Sequence, residues 1–190
     1  NRALTPYMLE AMLMLIDGVK RETIDAAAEK FGMPMGPVEL ADQVGLDICL
    51  HVAETLQASL ERPMPDVSHW LRAKVEKGEL GLKTGKGFYA WKDGKAVKDR
   101  DPPPPHEDML DRLILPMLNV CVECLREGVV ADEETVDGAM IFATGFAPFR
   151  GGPLHYAKAR GVPEIRQTLW QFSERYGERF RPDPGWDRLA

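Results

Sequence analysis

The glycines and lysines of residues 85–90 are the first residues whose types and spacing suggest chemistry. This stretch, Gly85-Lys86-Gly87-Phe88-Tyr89-Ala90, fits the G-x-G-x-x-A pattern of loops that bind dinucleotides. Such a loop needs a buried strand before it and a helix after it, whereas here a Gly- and Lys-rich segment precedes it and strand-forming residues follow. A magnesium-dependent phosphate loop is also excluded, because Gly87 stands where Ser or Thr must bind the metal. The sequence therefore predicts no cofactor site in this stretch.

Cys121 and Cys124 have the C-x-x-C spacing of a metal or redox pair. They lie within an apolar helical pattern, and no second pair of Cys or His residues is present to complete a tetrahedral site. The sequence therefore favours core cysteines and predicts no metal site. The histidines are spread singly, without a triad or zinc-helix motif, at His51, His69, His106 and His155.

Residues 72–100 carry nine basic and four acidic side chains, a net charge of +5 within a chain whose net charge is −6. Such a patch attracts small anions, for example the phosphates of a nucleotide. A solvated surface, or a face against a partner domain, explains the same charges, and at this point both interpretations stay open. The negative charge of the whole chain disfavours nucleic acid as a partner.

Helices must position these residues, because apolar residues recur at helical spacing along most of the 190 residues. The predicted helices cover residues 5–17, 24–31, 37–44, 47–60, 65–77, a long segment ending before Gly128, 133–143 and 163–176. A Lys92-Asp93-Gly94 turn between two short strand-forming segments predicts a small β-hairpin. The longest apolar run, residues 11–16, is too short for a membrane span.

The two halves of the chain look like copies of each other. The ordered matches are Pro6 with Pro116, Gly18 with Gly128, residues 22–25 with residues 134–137, and Pro37 with Pro153. We therefore predict an all-α fold with two similar helical domains, residues 1–98 and residues 107–190. The hairpin and a proline-rich linker at residues 99–106 join them.

The chain begins with Asn1-Arg2 and runs directly into a helical pattern, so we interpret it as a segment of a longer protein. Three cysteines cannot form a disulfide framework, and no signal peptide is recognisable. A reducing, cytoplasmic compartment is therefore expected.

Several motifs resemble the C-terminal domain of 3-hydroxyacyl-CoA dehydrogenases. They are Asn1-Arg2, residues 6–11, residues 31–42 (FGMPMGPVELAD), residues 44–47 and residues 83–89. The second half, above all residues 145–153 (GFAPFRGGP), is similar to the second copy of this domain in multifunctional α-subunits of fatty acid β-oxidation complexes. Because the ordered motifs cover nearly the whole chain, it is identified as a member of this family.

The resemblance implies an oxidoreductase that uses NAD to oxidise the 3-hydroxyl of an acyl-CoA. It also implies that the catalytic His-Glu dyad and the Rossmann domain that binds NAD lie upstream, so this segment alone is expected to be inactive and to bind no cofactor. Asn1 matches the family's asparagine that hydrogen-bonds the catalytic His and the thioester region of the substrate. An amide suits this role because it both donates and accepts and stays neutral.

Met33, Pro34, Met35, Gly36 and Pro37 form a second candidate site. Our hypothesis is that this loop forms part of the wall of the acyl-CoA cleft, in which methionine offers adaptable apolar surface. A tight connection between two helices is the alternative. Beyond the loop, two basic residues are weaker candidates for binding the phosphates of coenzyme A, namely Lys83 and Lys86.

A non-catalytic helical dimerisation or docking module is the alternative function. In that case the apolar face of residues 7–16 contacts another protein chain, either in a homodimer or on a thiolase subunit. The two functions can coexist, because family members often associate through these helices.

Overall fold

The computed structural model describes residues 2–59 and 64–189, and helices dominate these ranges, which confirms the all-α expectation. The helices are α1 (Leu4–Ile16), α2 (Arg21–Phe31), α3 (Pro37–Val44), α4 (Leu46–Ser59), α5 (Ser68–Glu76), α6 (Met109–Arg126), α7 (Glu133–Thr144), α8 (Pro153–Arg160) and α9 (Val162–Tyr176). Two short strands, β1 (Ala90–Lys92) and β2 (Lys95–Val97), pair antiparallel. Over the described ranges, no helix is both long enough and apolar enough to cross a membrane.

The chain folds into two compact units, which differ in part from the two halves of the sequence. The first unit comprises residues 8–28 and 35–106, and the second unit comprises residues 2–7, 29–34 and 107–189. Two short segments of the first half are therefore part of the unit that the second half builds. The domain limits predicted from the sequence stay a prediction.

In the first unit, α4 packs against α5, and α3 packs against α4. The predicted apolar face of α2 is confirmed within this unit, because Ile24, Ala27 and Ala28 are all buried. Full burial of a side chain as large as that of Ile24 contributes about 1.5–3 kcal/mol. The α2 face therefore belongs to the core that holds the helices of this unit together.

The predicted hairpin is also present in the first unit. Trp91 of β1 lies opposite Ala96 of β2, and the connecting residues Asp93 and Gly94 have φ angles of +51° and +75°. Positive φ at both central residues is typical of the type I′ turn, whose twist matches that of the two strands. The Asp-Gly pair therefore closes the hairpin as the sequence indicated.

In the second unit, α6 packs against α8 and α9, and α8 packs against α7. A turn at Pro184–Arg188 also contacts α6 and buries Trp186 completely. The Trp186 indole N–H donates to Asn119 Oδ1 at 2.8 Å, which gives the buried polar group a partner. This C-terminal turn was not predicted from the sequence, although it covers the long buried helix that was.

Equivalent helix ends in the two halves have the same backbone geometry. The Gly18 N–H donates to the Leu15 carbonyl after α1, and the Gly128 N–H donates to the Leu125 carbonyl after α6. Both glycines have positive φ, +87° and +72°, as left-handed residues after a helix end commonly do. The sequence offset between the copies therefore corresponds to an equivalence in structure.

The structure corrects two helix predictions. Helix α5 begins at Ser68 instead of Pro65, because the Asp66 carboxylate accepts hydrogen bonds from the Ser68 N–H and hydroxyl. Helix α8 was not among the predicted helices, although its proline had been matched to that of α3. The predicted helix end at Leu60 lies outside the described residues.

Candidate functional site

The loop between α2 and α3 exposes its residues unequally. Met33 is buried, with 5% of its surface exposed, whereas Met35 is half-buried and Pro34 is exposed. Gly36 and Pro37 are buried at the beginning of α3. Met33 therefore belongs to the core, whereas Pro34 and Met35 both have accessible surface. The sequence alone did not distinguish the two methionines.

Asp25 on α2 holds the second part of this loop. Its carboxylate accepts hydrogen bonds from the Val38 N–H at 2.8 Å and the Glu39 N–H at 3.0 Å, two free donors at the N-terminus of α3. The Tyr89 hydroxyl donates to the same carboxylate at 2.7 Å. A Cβ atom on Gly36 would lie only 2.1 Å from Asp25 Oδ1, so the loop requires glycine there. These contacts give the junction with α3 a single conformation.

The environment of Asp25 also changes its ionisation. Burial raises the pKa of the Asp25 carboxyl to about 6, against the hydrogen bonds from Tyr89 and Val38 and the charge of Lys98, which lower it. Burial likewise raises the pKa of the Tyr89 hydroxyl, and the neighbouring carboxylate adds to that shift. The Asp25 side chain is only 1% exposed and its oxygens are occupied by donors, so its role is to hold the loop.

The second half contains the same cap at the beginning of α8. The Asp137 carboxylate accepts hydrogen bonds from the Leu154 N–H at 2.7 Å and the His155 N–H at 3.0 Å. A Cβ atom on Gly152 would lie 2.3 Å from the Asp137 Cβ, as tight a fit as that of the matching glycine before α3. The aspartate cap is therefore a feature of the repeated unit.

The glycine-rich residues 85–90 do not fit a dinucleotide. A strand, β1, begins where the pattern would need a helix. The Phe88 and Tyr89 N–H groups, which would have to face a phosphate, donate instead to the Asp42 carboxylate at 2.8 and 2.9 Å. Asp42 is completely buried and also accepts from the Trp91 indole N–H at 2.8 Å. A carboxylate at this position would repel a phosphate, so these residues do not form an NAD site.

Lys83 and Lys86 are both engaged in ion pairs. Lys83 Nζ lies 2.6 and 2.7 Å from the two carboxylate oxygens of Asp47. Lys86 Nζ lies 2.8 Å from Glu79, which also pairs with Lys74 at 3.0 Å. The hydrogen bonds from these two lysines lower the pKa of Glu79 to about 2. Much of the basic stretch therefore faces carboxylates of the first unit, and a phosphate must compete with them.

The two cysteines and Asn1 are the remaining candidates from the sequence. Cys121 is buried and Cys124 is half-buried, and burial raises the pKa of both thiols, as for core cysteines. In residues 2–59 and 64–189, no group of three His, Cys, Asp or Glu side chains could hold a metal ion. Asn1, the residue matched to a catalytic asparagine, lies outside the described residues.

The aspartates at Asp25 and Asp42 were missed by sequence reasoning about the site. A signal existed for Asp25, because it matches Asp137 within the repeated segment and so recurs in the same register in both copies. Asp42 has no such signal, because the residue 116 positions later is Lys158.

Known protein sequences are similar to this chain. Residues 1–91 match the family model of the 3-hydroxyacyl-CoA dehydrogenase C-terminal domain. Over 97% of its length, the chain is 37% identical to a fatty acid oxidation complex subunit alpha from Vibrio vulnificus (strain CMCP6) and 39% identical to one from Vibrio cholerae serotype O1. The chain spans 28% of the length of these relatives.

Two solved structures share the fold of the whole chain. One is 3-hydroxybutyryl-CoA dehydrogenase from Escherichia coli K12, with a TM-score of 0.77 and 22% identity over 100% of this chain and 58% of that one. The other is the dehydrogenase part of multifunctional enzyme 1 from C. elegans, with a TM-score of 0.72 and 23% identity over 100% of this chain and 47% of that one. At these identities the similarity shows the fold alone.

Proposed function

Because residues 1–91 match the family model of the 3-hydroxyacyl-CoA dehydrogenase C-terminal domain, we propose that the chain works as the helical C-terminal part of an NAD-dependent 3-hydroxyacyl-CoA dehydrogenase of fatty acid oxidation. The observation that carries this proposal is the loop of Met33 to Pro37. The buried Asp25 carboxylate holds the junction of this loop with α3, and Pro34 and Met35 both have accessible surface. Such apolar surface suits one wall of a cleft for an acyl chain.

In this proposal the chemistry is divided between two parts of a longer protein. Oxidation moves a hydride from C3 of the acyl-CoA to NAD, while a base takes the proton of the 3-hydroxyl. The base and the NAD site belong to an upstream Rossmann domain. Within this chain, Asn1 supplies an amide that orients the base and the thioester, and the loop orients the acyl chain. We place this protein in the cytoplasm.

A direct experiment compares the 190-residue chain with the longer protein that contains it. The isolated chain is expected to show no NAD reduction with a 3-hydroxyacyl-CoA, whereas the longer protein reduces NAD. In the longer protein, Asn1→Ala is expected to lower kcat, since the amide acts on the reacting groups. NAD reduction by the isolated chain would overturn the division of roles.

The two methionines of the loop provide a test with an internal control. Met35→Ala is expected to change KM about threefold for long acyl chains and less for short ones, because Met35 is partly exposed. Met33→Ala is expected to lower the free energy of unfolding by about 2–4 kcal/mol with a smaller effect on KM, because Met33 is buried. If KM is unchanged across acyl lengths in both variants, the loop does not line the cleft.

We propose Lys83 and Lys86 as auxiliary contacts for the phosphates of coenzyme A. The Lys83 and Lys86 side chains are 46% and 65% exposed, so the ion pair of each with Asp47 or Glu79 can open to admit a phosphate. Charge reversal at either lysine is expected to weaken acyl-CoA binding and to reduce its dependence on salt. Binding that is equally tight and equally salt-dependent in the variants contradicts this role.

Docking to another protein chain is the second candidate function. The exposed apolar surface that could serve it differs from the one predicted from the sequence. The α1 face that the sequence suggested for docking is largely buried already, at residues such as Leu9, Met12 and Met14. Ile48 and Val52, one turn apart on α4, instead have 48% and 41% of their surface exposed. A homodimer or a thiolase subunit could cover them, and sedimentation of wild type and Ile48→Glu over a range of concentrations tests the homodimer.

A further inference from the structure

Arg150 lies in the second half of the chain, in the short 3-10 turn Pro148–Arg150. Its Nε donates a hydrogen bond of 2.8 Å to the carbonyl of Phe31, the last residue of α2. The guanidinium also lies 4.2 Å from the centre of the Phe31 ring and 5.3 Å from that of Tyr156. All of these residues belong to the second unit.

These contacts fall on the residue at which the proposed cleft loop begins. The last carbonyls of a helix have no partner within the helix, and their negative end attracts a cation. Arg150 supplies both a donor and a positive charge to the Phe31 carbonyl. It also covers the Phe31 ring, so the end of α2 is held through its backbone and through its side chain.

Neighbouring residues of the second half restrict the next part of the loop. Gly32 has a φ of +119°, and a Cβ atom there would lie 2.5 Å from the Phe149 ring and 2.7 Å from Ala147. Pro34 fits in the same way against Gly145, where a Cβ atom would lie 2.6 Å from the proline ring. The segment from Phe31 to Pro34 is therefore shaped by residues 145–150.

We infer that Arg150 is a positioning residue for acyl-CoA binding, acting from the second copy on the Phe31–Pro34 segment of the loop in the first copy. The inference rests on the proposed function, in which this loop lines the cleft. It assigns the second copy a part in substrate binding. Arginine suits this position better than lysine, because its planar group can stack on a ring and direct an N–H at a carbonyl simultaneously.

The test is Arg150→Lys in the longer, active protein, with Arg126→Lys as the matched control. Arg126 also lies in the second unit and makes two hydrogen bonds, of 2.8 and 2.9 Å, to the buried Asp183, away from the loop. Hydrogen exchange of a peptide spanning residues 29–36 reports the order of the loop directly. Steady-state kinetics with a series of acyl-CoA lengths report its effect on the substrate.

With Arg150→Lys, exchange in this peptide is expected to rise about tenfold, and KM about fivefold with kcat changed by less than about twofold. With Arg126→Lys, stability to urea is expected to fall while KM and the loop exchange stay at wild-type levels. Unchanged loop exchange in Arg150→Lys overturns the inference. Faster loop exchange with an unchanged KM would show instead that the loop is held by Arg150 but does not line the cleft, which contradicts the proposed function. Arg150→Gln provides a second variant with the charge removed.

Discussion

The buried Asp25 carboxylate connects two distant segments of the first unit. It joins the beginning of α3 to the Tyr89 hydroxyl, with hydrogen bonds of 2.7–3.0 Å. An isolated carboxylate would be expelled from such an apolar position, so these donors are necessary for its burial. They lower the pKa of the carboxyl, but burial raises it more, to about 6. The junction of the loop therefore contains a group that titrates near neutral pH.

The raised pKa predicts a pH-dependent stability at this residue. An aspartate in an unfolded chain has a pKa of about 3.9, so the folded state binds this proton more tightly than the unfolded state. The stabilisation from the protonated form is present in full below about pH 4 and is lost as the pH rises through about 6. The free energy of unfolding of wild type, relative to Asp25→Asn, is expected to fall by about 2 kcal/mol between about pH 4 and pH 7.

Urea unfolding at a series of pH values measures this difference. Asp66→Asn is the control, because hydrogen bonds from Ser68 lower the pKa of Asp66 and keep it ionised over the same range. Its difference from wild type is expected to stay level between about pH 5 and pH 7. A wild-type advantage over Asp25→Asn that is constant or grows with pH would contradict the assignment.

At the scale of elements, the hairpin depends on Asp42 of α3 more than on its own two strands. Three strand residues on each side cannot form a stable sheet alone. The Asp42 carboxylate accepts from two backbone N–H groups before β1 and from the Trp91 indole. Gly87 packs so closely that a Cβ atom there would lie 2.3 Å from Asp42 Oδ1. Of the two glycines that resemble a nucleotide motif, Gly87 is thus explained by close packing against an aspartate, and Gly85 by its φ of +78°.

Replacement of this carboxylate is expected to release the hairpin. In Asp42→Asn, one oxygen acceptor is replaced by an NH2 group that faces other donors, at an expected cost of about 2–4 kcal/mol. The Trp91 fluorescence is expected to shift to longer wavelength, and exchange is expected to rise across residues 87–97. Asp93→Asn is the matched control, because the exposed turn residue has a φ of +51° and asparagine tolerates that conformation well. An equal effect of the two substitutions would argue against the anchoring role.

At the scale of the whole molecule, the repeat predicts paired effects in the two units. Gly36 and Gly152 each leave no room for a Cβ beside the capping aspartate of the same copy. Alanine at either position is therefore expected to lower the free energy of unfolding by about 2 kcal/mol or more, with the larger loss at Gly152, whose φ is +108°. Denaturant unfolding of the single variants measures both losses.

Gly138→Ala is the opposite case and serves as the control. Gly138 lies inside α7 with nothing within 4 Å of the position of a Cβ atom. Alanine there is expected to raise stability by about 0.5–1 kcal/mol, because it favours the helix. If Gly36→Ala were neutral while Gly152→Ala was destabilising, the two caps would not be equivalent.

The sequence predicted the elements well where local patterns decide them. Apolar spacing indicated the helical faces, and the Asp93-Gly94 pair indicated the hairpin turn, since both depend on nearby residues only. Helix α8 was missed because its short pattern, with few apolar residues, is hard to distinguish from a loop. The turn around Trp186 was missed because its partner, Asn119, lies far away in the chain.

The sequence by itself determined the helical class, the repeat and the family resemblance, because these follow from residue order and spacing. Only the tertiary structure decided which residues of the candidate loop face solvent, which carboxylates pair with Lys83 and Lys86, and that Arg150 reaches the carbonyl of Phe31. Those contacts join residues from about 7 to 119 positions apart, and burial and pairing at such distances depend on how the helices pack. Local spacing contains no information about that packing.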